Sequence, residues 1–197
     1  MEQLNKSNTL IISQQKHWGE ILSGFEMKNK YVIYDEFGNE LYYAGEESSS
    51  FLGRMFLKSS RAFEIAILDK QRSKLLKLKR PFKFLFHELT VFDSYDRKLG
   101  QIKWKFAFFK RLYTILDQNG IEIMQLEGPF FKPWTFNIIK NGMEQGKIVK
   151  RWSGAMKEIF TNADNFGITF PPDCDTNSKA ILLGAVFLID FVHFEYR

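Results

Sequence analysis

The sequence predicts a mainly β protein, a closed antiparallel barrel of roughly ten to twelve strands around a hydrophobic C-terminal helix, with a short helix near the N-terminus. Two observations carry that expectation. After Gly24 the apolar residues recur with a period of two, in short runs separated by turn residues. The chain then ends in a stretch, Ala180 to Ile189, that contains no polar residue at all. A helix that is apolar on every side has to be enclosed. From Ala180 to Phe194 it is roughly 22 Å long, short for a bilayer core of about 30 Å. Asp190 and His193 shorten its dry part further. Enclosure by the protein's own strands is therefore expected, and a closed barrel also removes exposed sheet edges.

Residues 1–13 read as a loose polar start, and residues 14–197 as a single domain. Gln14 to Leu22 has Trp18, Ile21 and Leu22 at helical spacing and stops at Gly24. Tyr31 to Tyr34 and Leu41 to Tyr43 form a hairpin around Phe37-Gly38-Asn39, and Phe63 to Leu68 pairs with Leu75 to Leu78. Phe82 to Phe92 and Leu99 to Phe109 flank Asp93 to Asp96, and Leu112 to Leu116 and Ile121 to Leu126 flank Asn119-Gly120. Trp134 to Ile139 and Gly146 to Trp152 flank Asn141-Gly142. The central helix is expected over 178–196, capped by oxygens of Thr176-Asn177-Ser178.

With 197 residues, a 45% hydrophobic share and 21 Phe, the chain can bury a sizeable core. The net charge of +5 suits an acidic partner, either anionic lipid headgroups or nucleic acid. One cysteine, Cys174, excludes an internal disulfide and suits a reducing compartment, so a cytoplasmic location is expected. His17, His87 and His193 lie beside no carboxylate at ligand spacing. Gly142 to Lys147 has three intervening residues where a phosphate loop has four, and Ile148 stands where Ser or Thr should bind magnesium. No covalent chemistry, and hence no enzyme, is expected.

Several separate motifs agree in order with one family. They are Gly24-Phe25-Glu26, Asn29-Lys30-Tyr31, Arg61-Ala62-Phe63, Lys79-Arg80-Pro81, Gly146 to Gly154, Asn162 to Pro171 and Leu183 to Phe191. Over residue 14 to the end the chain resembles the phospholipid scramblases. The resemblance implies a Tubby-like fold, a twelve-stranded barrel threaded by the C-terminal helix. It also implies membrane association and calcium-dependent, ATP-independent, bidirectional movement of phospholipids between leaflets. A Pro-rich arm and a palmitoylated Cys-rich insert after the Arg-Pro step are common in the family. The insert is not found here, where Arg80-Pro81 continues as Phe-Lys-Phe-Leu-Phe-His, and the arm is expected to be missing.

The family's calcium segment maps onto Asn162, Asp164, Phe166, Ile168, Phe170 and Asp173, at positions 1, 3, 5, 7, 9 and 12 of a twelve-residue loop. Phe166 and Phe170 bring no side-chain oxygen, so Ca2+ is expected to bind weakly, and the competing reading is a turn and strand whose aromatics enter the core. Lys77, Lys79, Lys83, Lys103 and Lys105 alternate with apolar residues and form either a solvated strand face or a surface for anionic headgroups. The resulting expectation is a scramblase-like protein held peripherally and electrostatically on the cytoplasmic face of a membrane. The alternatives are a Tubby-like phospholipid- or phosphoinositide-binding adaptor, or a nucleic-acid-binding regulator; oligomer formation is left open.

Overall fold

A computed structural model of the protein describes residues 1–15, 27–48, 62–150 and 165–194. Twelve strands close into one antiparallel barrel: β1 (Thr9–Gln14), β2 (Lys28–Asp35), β3 (Glu40–Ser48), β4 (Phe63–Leu68), β5 (Lys74–Arg80), β6 (Glu88–Asp93), β7 (Lys98–Lys105), β8 (Lys110–Asp117), β9 (Glu122–Pro129), β10 (Thr135–Lys140), β11 (Met143–Lys150) and β12 (Asn165–Thr169). Each strand pairs with its neighbour in sequence, and β1 closes the ring against β12, from Thr9 opposite Thr169 to Ser13 opposite Asn165. Two helices complete the chain, α1 (Glu2–Lys6) and α2 (Thr176–His193).

Antiparallel order places the connections after even-numbered strands at one end of the barrel and those after odd-numbered strands at the other. The turns after β2, β4, β6 and β8 share one construction. Asp35, Asp69, Asp93 and Asp117 each close their turn by accepting the backbone N–H four residues on, at 2.8–2.9 Å. Asp35, Asp93 and Asp117 also accept the N–H two residues on. A short carboxylate that copies a backbone acceptor is why these turns stay tight.

The alternation seen in the sequence is the two faces of the barrel wall. Leu76 and Leu78 of β5, Leu89 and Val91 of β6, Tyr113 and Ile115 of β8, and Phe136 and Ile138 of β10 are buried and join the core around α2. Every residue of α2 from Lys179 to Phe191 is buried. By length and hydropathy α2 could cross a membrane, yet 72% of it lies inside the barrel. Fully burying each Leu, Ile or Phe contributes about 1.5–3 kcal/mol, so this helix could not stand in water.

The polar groups of α2 are matched at both ends. At the end of the Asp turns, Asp175 caps the helix by accepting the Ser178 N–H at 2.6 Å. Buried Lys179 donates to the carbonyls of Asn5 and Ser7, both at 2.7 Å, and so ties α1 across the barrel mouth. At the other end the Asp190 carboxylate accepts from the Tyr31 hydroxyl at 2.9 Å and lies 3.7 Å from Lys150 Nζ. Without such partners a buried charge would be too costly.

Several expectations differ in detail. Residues 2–6 are helical and residues 9–14 form the closing strand, where a loose start was expected. Leu10 to Ser13 are all buried, so the strand shows no alternation to read. Gln14 belongs to that strand, and the helix expected up to Leu22 otherwise lies outside the described residues from residue 16 onward. Helix α2 starts at Thr176 under an Asp175 cap, two residues before its expected start. The strands expected over Phe82 to Phe92 and Leu99 to Phe109 are shorter: β6 begins at Glu88 and β7 ends at Lys105.

The helix lies very close to the wall on one side. A Cβ on Gly100 would stand 2.3 Å from Ile181 Cδ1 and 2.4 Å from the Leu116 carbonyl oxygen. The second neighbour is backbone and cannot move aside. Gly100→Ala is therefore expected to destabilise the protein by about 1–3 kcal/mol, lowering the melting temperature by several degrees. Thermal unfolding checks this, and an unchanged midpoint would show that the wall yields.

Candidate functional site

Of the five lysines singled out in the sequence, Lys77, Lys79, Lys103 and Lys105 stand on the outer wall and Lys83 on the connection after β5, and at least four of the five are ion-paired. Lys77 pairs with Asp96 and lies over the Phe92 ring. Lys79 pairs with Glu64 at 2.8 Å, Lys83 with Glu88 at 3.3 Å and Lys105 with Glu122 at 2.9 Å. Lys103 is exposed and faces Glu88 in the β6–β7 register. Strand register sets carboxylates among these lysines, so the strip is a mixed-charge face. Its pull on anionic headgroups is correspondingly smaller than five free cations would give.

The apolar surface is elsewhere. Fourteen large apolar side chains are exposed among the described residues, and ten of them stand on the connections after β5, β7 and β9. Phe82, Phe84, Leu85 and Phe86 come from the first, Phe106, Phe108 and Phe109 from the second, and Phe130, Phe131 and Trp134 from the third. All three connections lie at the end where α2 finishes. Phe194 stacks there on Trp134 with ring centroids 5.5 Å apart, under the Lys150 ammonium at 4.6 Å. Single exposed apolar side chains are ordinary, but a shared rim of ten, nine of them aromatic, is not.

Local chemistry explains why these aromatics leave the barrel wall. Pro81 and Pro133 have no N–H to give a ladder. Phe108-Phe109 and Phe130-Phe131 are adjacent pairs, and one barrel face can take only one of each. Phe86 has a positive φ of 56°, outside any strand conformation. Arg111 then fixes the third connection. Its guanidinium donates to the carbonyls of Gly128, Pro129, Lys132 and Pro133 at 2.9–3.3 Å and lies over the Phe136 ring. In the second, Phe106 and Phe108 meet edge to face at 5.0 Å. The expected strands Phe82 to Phe92 and Leu99 to Phe109 absorb the aromatics of the first two connections, which hides the rim in the sequence. The doubled Phe and the prolines were the readable signal.

In the described half of the calcium segment the aromatics lie in the core. Phe166, Ile168 and Phe170 are buried, and Phe166 and Ile168 pair on both sides, with β1 and β11. Asp173 is exposed and its backbone carbonyl accepts from Lys140 Nζ at 3.1 Å. Calcium takes six to eight oxygens, and these residues supply one carboxylate. Asn162 and Asp164 lie outside the described residues, as does His17. Among the described residues, no three His, Cys, Asp or Glu side chains cluster as metal ligands would.

The family model described as Scramblase matches residues 1–196. The chain belongs to the scramblase family. It is 33% identical to human phospholipid scramblase family member 5, over 100% of this chain and 77% of that protein. It is 32% identical to bovine phospholipid scramblase 2, over 99% of the chain and 71% of that protein. It is 31% identical to human phospholipid scramblase 1 over 99% of the chain, but spans only 65% of that relative's length. The fold resembles the X-ray structure of a protein from Arabidopsis thaliana, with a TM-score of 0.52 at 10% identity, covering 96% of this chain and 93% of that one. That likeness concerns the Tubby-like fold alone.

One titratable group sits at the base of the rim. His87 Nδ1 lies 2.7 Å from Arg80 Nη2. A guanidinium only donates, so Nδ1 must accept and the ring is neutral. Burial, with the Arg80 charge second, holds the His87 pKa down to about 4. An unfolded His87 would take a proton near pH 6.5, so lowering the pH favours the unfolded chain. This contribution is complete above pH 6.5 and is lost as pH falls towards 4. His87 is only half-buried, so the loss should be on the order of 1 kcal/mol. Denaturation midpoints at pH 7 and pH 5 should fall less in His87→Gln than in the unsubstituted chain, and equal falls would contradict the assignment.

Proposed function

We propose that this chain is a phospholipid scramblase-like protein, acting at the cytoplasmic face of a membrane to move phospholipid in both directions between leaflets without ATP. Its near full-length alignment with relatives named phospholipid scramblases is the observation that carries the reading. The structure narrows how it would act. The barrel interior is filled by α2, with residues from Lys179 to Phe191 all buried. A headgroup therefore has no route through the barrel and must pass outside it. Movement in both directions only equilibrates lipid, so the protein has to lower a barrier and need not couple to an energy source.

Liposomes carrying a fluorescent lipid on both leaflets test this directly. With the protein reconstituted and no ATP present, an external quencher should consume more than the outer-leaflet half of the signal. Loss of only that half, with the protein bound, would favour the binding adaptor. Calcium enters this reading as a weak ligand, because Asn162, Asp164 and Asp173 are at most three side-chain ligands in the segment. Calorimetry should give an affinity no tighter than about 10⁻⁴ M. Micromolar binding abolished by Asp164→Ala would show instead a well-built site.

A further inference from the structure

We propose that the aromatic rim is the surface that docks on a phospholipid bilayer, so that the barrel meets an anionic leaflet end-on, with the C-terminal end of α2 facing it. The choice of lipid as partner rests on the proposed function; the choice of surface rests on the structure. Among the described residues the two ends of the barrel differ in kind. The described rim connections, residues 81–87, 106–109 and 130–134, carry no carboxylate of their own and two cations, Lys132 and Lys83, the latter paired with Glu88 at the start of β6. The opposite turns carry six carboxylates, Asp35, Glu36, Asp69, Asp93, Asp96 and Asp117, against three cations, Lys70, Arg72 and Arg97. An anionic leaflet would attract the first end and repel the second.

The composition also suits the interfacial zone. Phenylalanine and tryptophan interspersed with lysine suit the depth where headgroups meet acyl chains, with apolar groups sinking roughly 5–10 Å. Phe84, Phe108 and Phe131 are 78%, 78% and 82% exposed, one from each connection, and a bilayer could cover all three together. Strands β5 to β10 span five strand spacings, so the contact arc measures about 24 Å along the rim. The Arg111 hydrogen bonds and the Phe106–Phe108 contact hold two of the connections in place before docking, which lowers the ordering cost. The ion-paired lysine strip on the wall then stands beside the membrane and does not drive binding. Apolar insertion dominates and charge selects the leaflet.

The test is co-sedimentation of the full chain with vesicles of phosphatidylcholine, with and without phosphatidylserine, at about 0.1 and 0.5 M salt, where screening lengths are roughly 10 and 4 Å. Both vesicle types should bind, the anionic ones more tightly, and most binding should survive high salt. The combined variant Phe84→Ser, Phe108→Ser, Phe131→Ser should lose about tenfold or more in partitioning at an unchanged melting temperature, since all three side chains already face water. Lys79→Gln with Lys103→Gln should alter partitioning less than about twofold. A fluorophore on Phe108→Cys should shift to the blue on vesicles, and one on Tyr95→Cys at the opposite end should not. Partitioning of the triple variant within twofold of the unsubstituted chain would overturn the proposal. So would a dimer that the triple substitution dissolves, because the rim would then serve a second copy. A chain that docks through the rim yet fails to equilibrate lipid refutes the proposed function and leaves the docking surface standing. Undiminished docking and equilibration in the triple variant would do the reverse.

Discussion

One constraint organises the molecule: a helix with no polar side from Ala180 to Ile189 must be enclosed. Twelve short strands accomplish this because a closed barrel satisfies its own backbone hydrogen bonds and leaves no edge. The few polar groups the helix carries are placed where the enclosure ends. Lys179 reaches the carbonyls of Asn5 and Ser7 at one mouth, and Asp190 meets Tyr31 and Lys150 at the other. Those positions fix how deep the helix sits. A slip by one turn would carry a charge into the dry interior.

Enclosure shapes function as well. A helix committed to the core is not free to act as a membrane span, and a filled barrel offers no pore. Any contact with lipid is left to the outside, and among the described residues the outside is polarised along the barrel axis. Asp-closed turns finish one end, and projecting aromatic connections finish the other. Hairpin alternation builds this polarity directly, because every second connection returns to the same end. The Asp-closed turns and the looser aromatic connections are thereby sorted apart.

The fold was legible because its two periods are strong: alternation along the strands and an unbroken apolar run at the end. The strand ends were harder to read. Phe82, Phe84 and Phe86 alternate as a strand would, and β-propensity describes a fit to a half-buried surface, not a backbone preference. Only the structure shows those rings facing water. Strand β1 was missed for the opposite reason, since residues buried on both faces give no alternation. The lysine strip was visible in the sequence, yet its carboxylate partners were not. Glu64 and Lys79 are opposite each other only once β4–β5 register is known. The chemistry of the calcium segment was readable in part, as Phe166 and Phe170 offered no oxygen and do enter the core.

The most direct test of this account is amide hydrogen exchange along α2, in solution and on anionic vesicles. The account predicts that Ala180 to Ile189 exchange only through global unfolding in both states, while residues 81–87, 106–109 and 130–134 slow on the membrane. Rapid exchange of Ala180 to Ile189 in solution, or a change in their protection on binding vesicles while the rim connections stay unchanged, would show that the helix leaves the barrel and would contradict the account.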